Sequence, residues 1–403
     1  MIETGSKLPK VLVIQRRYKM PINKITIQNY KSLQDLPLEL KDLNVFIGPN
    51  NAGKSNIIEC LSFLSEFVKE GHEGRNVIHR RGGFEQVVFN GDTGQTILID
   101  LQGSIHVGNS YRKFGYELQL SYVPVNYFRN KKEVFRLLDG SQETLLEYSQ
   151  EKGSVVKDES GKQTGGIGGN VDQSHLSFFG NPDYYPILGH FAQDVKRWGI
   201  FRFLPTLMRQ SLPIRKEFEL EETGMNLSVV LHTLQSEYPE KFKEIVEILK
   251  SAVGEIEEVT TGLLEHKPGE TYVRIREKMI KIPISAWGMS DGTLGLLAYL
   301  ATIYQPDPPT LLSFEEPENY IHPHLLGLVV ELLKNASKRS QILVSTHSPY
   351  LVDLLEPEDI FIVEKKNGKT EVKKAEEKKR IREALKNLGL GEMWYAGDLG
   401  GVP

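Results

Sequence analysis

The chain has 403 residues, of which 39% are hydrophobic and 25% charged, a composition typical of a globular protein with two or three domains or one large domain with insertions. The formal net charge of −4 excludes a global basic charge that would draw the chain onto nucleic acid, so such a contact would need a local patch. One cysteine, Cys60, excludes an internal disulfide framework, and no apolar run reaches the roughly 20 residues of a membrane span. We therefore expect a cytoplasmic protein that does not enter a membrane.

The first regular elements flank a glycine-rich segment. Alternating apolar residues predict a half-buried strand at 24–28 and a second strand at 36–40, and the apolar run 44–47 predicts a third strand that leads directly into Gly48. After Lys54 the apolar residues recur at spacings of three and four, which predicts a helix. The order of strand, glycine-rich loop and helix is the context that a phosphate-binding loop requires.

The segment between the third strand and the helix matches the pattern G-x-x-x-x-G-K-[ST] in full. It consists of Gly48, Pro49, Asn50, Asn51, Ala52, Gly53, Lys54 and Ser55, and is called the P-loop below. Its glycines let the backbone wrap around a phosphate group, and the following helix N-terminus favours an anion. Lys54 supplies a positive charge to the outer phosphates and the Ser55 hydroxyl is a ligand for Mg²⁺. The segment therefore predicts ATP and Mg²⁺ as cofactors.

The middle of the chain is less regular. Three β-like runs within 96–138 predict an antiparallel meander, whereas 150–175 is rich in Gly, Ser, Lys and Asp and is predicted to be a mobile loop. The G-G-I-G-G run at 165–169 has no strand before it and no helix after it, so it is not a nucleotide site. Residues 225–253 have a helical pattern, and 271–284 returns to strand.

The last third alternates strands with helices, which predicts a mostly parallel sheet. Apolar runs predict strands at 310–314, 341–345 and 360–363, and a helix lies between the first two at 325–338. An Asn-Gly pair at 367–368 predicts a tight turn after the last of these strands.

Two of these strands end in residues suited to phosphate chemistry. Glu315 and Glu316 follow the first strand, and His347 follows the second. Because ligands bind beyond the carboxyl ends of parallel strands, we predict that Glu315 holds the Mg²⁺ shell and Glu316 orients or deprotonates the attacking water. His347 is predicted to hydrogen-bond the γ-phosphate or the water. The alternatives are an acidic strand exit and a structural histidine.

Three terminal segments leave alternatives open. The N-terminal stretch 1–19 lacks a signal-peptide pattern and is either an ordered arm or a disordered tail. The basic run 365–386 is interspersed with glutamates, which favours a solvated charged face over a nucleic-acid patch. The tail 391–403 is hydrophobic and rich in glycine, and it either packs on its own domain or contacts a partner.

The order of these motifs resembles that of the ABC-type ATPases, in the branch that contains SMC, RecF and OLD proteins. The segment 287–293 (W-G-M-S-D-G-T) resembles the signature loop of that family, with S-D-G-T in place of S-G-G-Q. The segment 29–32 (N-Y-K-S) resembles the N-F-K-S start of the same branch, 318–323 resembles its dimer-contacting loop, and His347 matches its switch histidine. The resemblance is good over 22–55 and 285–365. A glutamine loop is not identified, and Gln86 is only a weak candidate for it.

The resemblance implies further site residues. Ser290 and Gly292 of the signature loop would reach the γ-phosphate that a second subunit binds, and Lys31 would lie near the nucleotide. It also implies a homodimer in which two copies enclose ATP head to tail. Binding of ATP would join the subunits, and hydrolysis through Glu316 would release them.

We expect an α/β fold, a P-loop NTPase of the ABC-ATPase head type, with a mixed β lobe, a mostly parallel α/β lobe and a helical insertion. The expected organisation is an N-terminal arm (1–19), a first part of the ATPase head with the P-loop and an antiparallel β lobe (20–190), a helical insertion (191–255), a second part of the head with the signature, the glutamates and the histidine (256–390), and a C-terminal tail (391–403).

Three functions are compatible with such a head. The favoured one is a Mg²⁺-dependent ATPase that switches or scaffolds a separate effector, such as a nuclease or toxin, in antiphage defence. The second is a RecF-like DNA-repair ATPase, which would need a basic surface that the net charge of −4 does not indicate. The third is the nucleotide-binding subunit of a transporter, which the E-E-P-E strand ending and the lack of a clear glutamine loop disfavour.

Overall fold

A computed structural model describes residues 20–108, 110–124, 128–140, 143–167, 172–375, 389–397 and 399–400. The chain divides into two units that each have their own core. The P-loop unit consists of Tyr18–Gly199, Pro309–Ser313 and Ser340–Pro403, and the signature-loop unit contains Ile200–Pro308 and Phe314–Arg339. The predicted arm 1–19 lies outside the described residues. No helix of the described chain is both long enough and apolar enough to cross a membrane.

An antiparallel sheet forms one layer of the P-loop unit. Its eight described strands are β1 (Ile22–Tyr30), β2 (Leu33–Glu39), β4 (Ile97–Val107), β5 (Ser110–Ser121), β6 (Arg129–Leu137), β7 (Thr144–Ser149), β8 (Gly153–Lys157) and β9 (Gln163–Ile167). Their order in the sheet is β2-β1-β4-β5-β6-β7-β8-β9. The predicted meander is therefore confirmed, and the three antiparallel strands β7, β8 and β9 extend it.

A mostly parallel sheet carries the P-loop. Its strands in this unit are β3 (Leu43–Ile47), the first residues of β15 (Leu311–Glu315), β16 (Gln341–Thr346), β17 (Ile360–Lys366) and β18 (Lys369–Lys374). Their order is β15-β16-β3-β17-β18. The central strand β3 is buried over its whole length and pairs in parallel with both β16 and β17. The Asn-Gly turn at 367–368 joins β17 to the antiparallel β18, as predicted.

The helices of the P-loop unit are α1 (Lys54–Glu70), α2 (Gly74–His79), α3 (Phe84–Val87), α4 (His175–Phe178), α5 (Pro186–Lys196), α11 (Pro349–Val352) and α12 (Leu390–Tyr395). The buried face of α1 packs beside α5, where the Ser65 hydroxyl donates to the Val195 carbonyl at 2.7 Å. On α5, the buried Phe191 ring lies 4.9 Å from the Phe114 and Phe135 rings of the antiparallel sheet. This aromatic cluster holds α5 on the sheet.

The signature-loop unit combines helices with a small sheet. Its elements are β10 (Gly199–Phe201), α6 (Pro205–Met208), β11 (Leu212–Pro213), α7 (Leu227–Glu237), α8 (Pro239–Ala252), β12 (Ile256–Leu263), β13 (Glu270–Glu277), β14 (Ile284–Ser285), α9 (Asp291–Tyr304) and α10 (Pro323–Ala336). The small sheet is antiparallel, with the order β11-β13-β12 and β14 paired to β13. Beginning at Thr293, every residue of α9 is buried, which makes it the central helix of this unit.

The structure bears on two predictions. One of them is wrong, and for the other the sequence had left two alternatives open. Within 150–175, which was predicted to be a loop, the described residues contain the β8–β9 hairpin, in which Val156 is fully buried and pairs with Leu146 of β7. The described part of the tail forms α12, whose Trp394 is fully buried and which packs against α11 in the same unit. The described part of the tail therefore packs on its own unit. The predicted domain boundaries stay predictions.

Candidate nucleotide site

The backbone of the P-loop has conformations that favour glycine at both ends. Gly48 has φ +152° and lies so close to β17 that a Cβ there would be 2.1 Å from the Val363 carbonyl oxygen. Gly53 has φ +106°, a value that side chains with a Cβ rarely adopt. The two glycines of the sequence pattern are therefore required by the fold of the loop itself.

The helix that follows the P-loop presents an anion-binding end. Helix α1 begins at Lys54, has Gly53 as its N-cap, and has neither a capping side chain nor an acidic residue in its first turn. The dipole of this 17-residue helix favours a negative ligand at its N-terminus. The Ser55 hydroxyl is exposed at this end. These features fit a nucleotide phosphate with its Mg²⁺ ion.

The Lys54 side chain is folded into the P-loop. It is only 5% exposed, and its ammonium donates to the carbonyl oxygens of Gly48 at 2.8 Å and Pro49 at 3.0 Å. Those carbonyls compensate the loss of hydration of the buried charge. A phosphate oxygen is a stronger acceptor than a carbonyl, so Lys54 is placed to exchange these bonds for a nucleotide.

The strand before His347 brings that residue to the same edge of the sheet. Thr346 at the end of β16 pairs with Ile47 at the end of β3, directly before the P-loop. His347 follows and is half-buried, and the Ser348 hydroxyl caps α11 by accepting from the Leu351 N–H at 3.2 Å. The structure therefore brings His347 and the P-loop together at one sheet edge.

Lys31 and Gln86 are placed less directly. The Lys31 ammonium lies 3.1 Å from the Glu59 carboxylate of α1, which makes it part of an ion pair on that helix. Gln86 is exposed on α3. Ser32, the neighbour of Lys31, instead contacts the P-loop region through the side chain of Asn56. The role of Lys31 near the nucleotide stays a prediction.

In the signature-loop unit, the two predicted carboxylates line a cavity. Glu315 ends β15, and Glu316 has φ +48°, an uncommon value for a residue with a side chain. The Glu316 carboxylate accepts from the Asn319 amide at 2.7 Å. Arg202 and Tyr299 are among the other lining residues of this cavity of about 50 Å³, which is large enough for water. Burial raises the pKa of Tyr299, with a further contribution from the Glu318 carboxylate, so its hydroxyl keeps its proton.

The signature loop is held by an arginine. Ser290 is exposed and caps α9, because its hydroxyl accepts from the Thr293 N–H at 3.1 Å. The Arg209 guanidinium donates to the Met289 carbonyl at 2.9 Å and to the Asp291 carboxylate at 2.7 Å. The residues on both sides of Ser290 are thus fixed by one side chain, which no sequence motif indicated.

The remaining signature residue and the metal ligands complete the predicted set. Gly292 is close to the chain after β15, because a Cβ there would lie 3.1 Å from the Tyr320 carbonyl oxygen. Among the described residues, no group of three or more His, Cys, Asp or Glu side chains is arranged to hold a metal ion. Metal binding by Ser55 and Glu315 stays a prediction.

Comparison with known proteins identifies the family. A model of the AAA domain family described as a putative AbiEii toxin of a Type IV TA system matches residues 43–353, from β3 through α11. The chain belongs to this family. The matched range contains the P-loop, the signature loop, the two glutamates and the histidine.

Two relatives extend the comparison. An OLD nuclease of Thermus scotoductus is 22% identical over 367 residues, which cover 85% of this chain and 62% of the relative. A retron Vc95 probable ATPase of Vibrio cholerae is 20% identical over 399 residues, which cover 86% of this chain and 74% of the relative. The chain thus spans somewhat under two thirds of the OLD nuclease.

Solved structures show the same fold. The crystal structure of an Smc head bound to the C-winged helix domain of ScpA has a TM-score of 0.54 at 13% identity and covers 87% of this chain and 96% of that head. An Smc head with an extended coiled coil, bound to the C-terminal domain of ScpA from Pyrococcus furiosus, has a TM-score of 0.53 at 13% identity and covers 91% and 99%. The predicted fold class, a P-loop NTPase fold, and the resemblance to the SMC and OLD branch are confirmed.

Proposed function

We propose that this chain is a Mg²⁺-dependent ATP hydrolase that acts as a nucleotide switch for a partner effector. The observation that carries the proposal is the P-loop, where a buried lysine and an uncapped helix N-terminus converge. Lys54 supplies the charge and α1 supplies the N–H donors for the phosphates. No other part of the described chain combines these two features with the matching sequence pattern.

Hydrolysis needs groups that act on the attacking water. Glu316 lines a cavity of water size, and Asn319 fixes its carboxylate by a 2.7 Å hydrogen bond, which supports its role as the residue that orients or deprotonates water. When bound, Mg²⁺ neutralises developing charge on the phosphates. Ser55 and Glu315 would hold the ion, and His347 would contact the γ-phosphate or the water.

We further propose that two copies enclose the nucleotides head to tail. The Ser290 hydroxyl and the Gly292 backbone lie exposed or half-exposed at the N-terminus of α9, where the helix dipole favours an anion and the Asp291 carboxylate is paired with Arg209. This end of α9 has the chemistry to complete the site of a second copy. A homodimer that closes on ATP and opens after hydrolysis is a switch of the γ-phosphate type.

The proposed effector is a separate nuclease or toxin that acts in antiphage defence. Support comes from the names of the relatives, an OLD nuclease and a retron ATPase, and from the family description as a putative toxin of a Type IV TA system. The Smc heads of similar fold are bound to domains of another protein, ScpA. An ATPase of this fold can therefore act through a partner.

Replacing the P-loop lysine tests the nucleotide site. We expect Lys54→Ala to weaken binding of a fluorescent ATP analogue roughly 10- to 100-fold, since a hydrogen bond to a charged group contributes about 1.5–3 kcal/mol. The matched control is Lys69→Ala, an exposed lysine on the same helix. Thermal unfolding of both variants should resemble that of the wild type. Binding that is unchanged in Lys54→Ala would refute the site.

Replacing the arginine that holds the signature loop tests the second half of the site. We expect Arg209→Ala to lower the hydrolysis rate about tenfold or more while the affinity for ATP stays within about twofold, because two charge-assisted hydrogen bonds beside Ser290 are lost. Arg209→Lys should recover only part of the rate, since lysine lacks the planar fork. Arg215→Ala, which removes an exposed arginine of the same unit, is the control. Equal losses in both variants would refute the role of Arg209.

A further inference from the structure

Two buried hydroxyl groups lie beside the P-loop, on the side to which its Ala52 carbonyl points. Thr370 of β18 is 5% exposed, and its hydroxyl donates to the Ala52 carbonyl at 2.8 Å. The Ser32 hydroxyl, 8% exposed, lies 2.6 Å from the Thr370 hydroxyl and accepts from the Asn56 amide at 2.7 Å. The Thr370 N–H also donates to the Ser32 carbonyl at 2.9 Å. The two hydroxyls thus connect α1 to the loop that precedes it.

The direction of this hydrogen-bond chain is fixed by its two ends. The Asn56 amide nitrogen can only donate, and the Ala52 carbonyl can only accept. Ser32 therefore donates to Thr370, and Thr370 donates to Ala52. All bonds run the same way, so each polarises the next and the chain is stronger than separate pairs would be.

This series of hydrogen bonds controls the orientation of one peptide group of the P-loop. In a trans peptide, the carbonyl and the following N–H point in opposite directions. Because Thr370 of β18 holds the Ala52 carbonyl on its own side of the loop, the Gly53 N–H must point to the opposite side. This opposite side is where phosphate would bind. If this peptide rotated, the loop would offer a carbonyl oxygen to the phosphate and lose a donor.

The fit around Gly53 is tight. A Cβ at this position would lie 2.0 Å from the Thr370 hydroxyl oxygen and 2.8 Å from that of Ser32. At the other end of the loop, Gly48 is equally close to the Val363 carbonyl of β17. The β17–β18 hairpin therefore supports both glycines of the P-loop.

We propose that Ser32 and Thr370 are positioning residues that fix the Ala52–Gly53 peptide with its N–H toward the nucleotide phosphates. This inference rests on the proposed function, since it concerns the same P-loop. The hairpin and the β1–β2 turn become part of the nucleotide site, although neither contacts the nucleotide. A change in the hairpin would alter nucleotide affinity through this one peptide.

The test compares hydroxyl removal with hydroxyl retention. Thr370→Val keeps the shape of the side chain but removes the hydroxyl, whereas Thr370→Ser keeps the hydroxyl. Ser32→Ala removes the hydroxyl that donates to Thr370 and so interrupts the same series of hydrogen bonds. The control is Thr302→Val, because Thr302 is equally buried and its hydroxyl donates to the Ala298 carbonyl at the same 2.8 Å, within α9. Affinity for a fluorescent ATP analogue, hydrolysis rate and thermal unfolding are measured for each variant.

We expect Thr370→Val and Ser32→Ala each to weaken nucleotide binding roughly 3- to 10-fold, in line with the loss of one hydrogen bond. Thr370→Ser should bind within about twofold of the wild type. The double variant should bind nucleotide no more weakly than the single variant with the lower affinity, because both changes interrupt the same series of hydrogen bonds. Thr302→Val should lower the unfolding temperature without changing the affinity.

The outcomes separate the inference from the proposed function. If Lys54→Ala weakens binding and Thr370→Val does not, the inference falls and the proposed function stands. If neither variant affects binding, the proposed function falls and the inference falls with it. Thr370→Ser binding as weakly as Thr370→Val would show that the methyl packing matters rather than the hydroxyl, which overturns the inference. Should Thr370→Val not fold, Ser32→Ala decides by the same criteria.

Discussion

Glu316→Gln should lower the rate of ATP hydrolysis by about 10²–10⁴-fold and leave ATP binding intact, because it removes the carboxylate that acts on the attacking water. Glutamine keeps the size of the side chain and an oxygen that can accept from Asn319, as Glu316 does at 2.7 Å. The cavity beside it should therefore keep its shape. Single-turnover hydrolysis and the amount of ATP retained by the purified protein measure the two effects.

The matched control for this experiment is Glu331→Gln. Glu331 is an exposed glutamate of α10 in the same unit, and its replacement removes the same charge away from the cavity. Its hydrolysis rate should equal that of the wild type. A normal rate in Glu316→Gln would move the catalytic role to another carboxylate, with Glu315 or Glu318 next to be tested.

The retained ATP gives a second readout. If hydrolysis opens the proposed dimer, a variant that binds ATP but does not cleave it should accumulate as a closed dimer, because the γ-phosphate stays in place. Size-exclusion chromatography with and without ATP measures this directly. A Glu316→Gln protein that retains ATP and remains monomeric would contradict the switch while leaving the catalytic role untouched.

The P-loop could be predicted because its signal is local. The pattern from Gly48 to Ser55, the apolar strand before it and the helical spacing after it all lie within a short stretch of chain, and the structure has these elements where the sequence indicates them. The same applies to the strands that precede Glu315 and His347. Local periodicity and chemistry agreed at these positions, so no tertiary information was needed.

The β8–β9 hairpin could not be predicted in the same way. Its residues have the composition of a loop, but Val156 pairs with Leu146 and is buried by the sheet that it extends. The stability of a strand depends on its neighbours more than on its own residues. Only the assembled sheet shows that this stretch is a hairpin.

The contacts that fix the P-loop are equally invisible in the sequence. Ser32 and Thr370 lie 338 positions apart and meet only because β18 is placed beside the β1–β2 turn. The N-Y-K-S resemblance drew attention to Lys31, whose ammonium pairs with Glu59, while the next residue, Ser32, is bonded to Thr370, which donates to the Ala52 carbonyl of the loop. The presence of Ser32 in that motif was the one signal in the sequence for these contacts, and only the structure shows what Ser32 contacts.

Ser290→Arg should abolish hydrolysis while each subunit still binds ATP at its own P-loop, because the added bulk and charge block closure of the dimer. The change also removes the Ser290 hydroxyl that caps α9, which costs about 1 kcal/mol of stability. Ser290→Ala loses the same cap without the bulk and is the control for folding. Nucleotide binding by Ser290→Arg equal to that of Ser290→Ala would show that the P-loop unit is intact.

Mixing this variant with a P-loop variant tests whether the site is shared between two chains. In a mixed dimer, the intact P-loop of the Ser290→Arg subunit faces the intact signature loop of the Lys54→Ala subunit, and the other site carries both defects. We expect partial recovery of hydrolysis from two proteins that are inactive alone. A site completed within one chain would give no recovery, and neither would a dimer that needs both sites. These two failures differ on dilution of the wild type, since a site within one chain keeps a constant rate per subunit down to concentrations at which the protein is monomeric, whereas a shared site loses activity as the dimer dissociates.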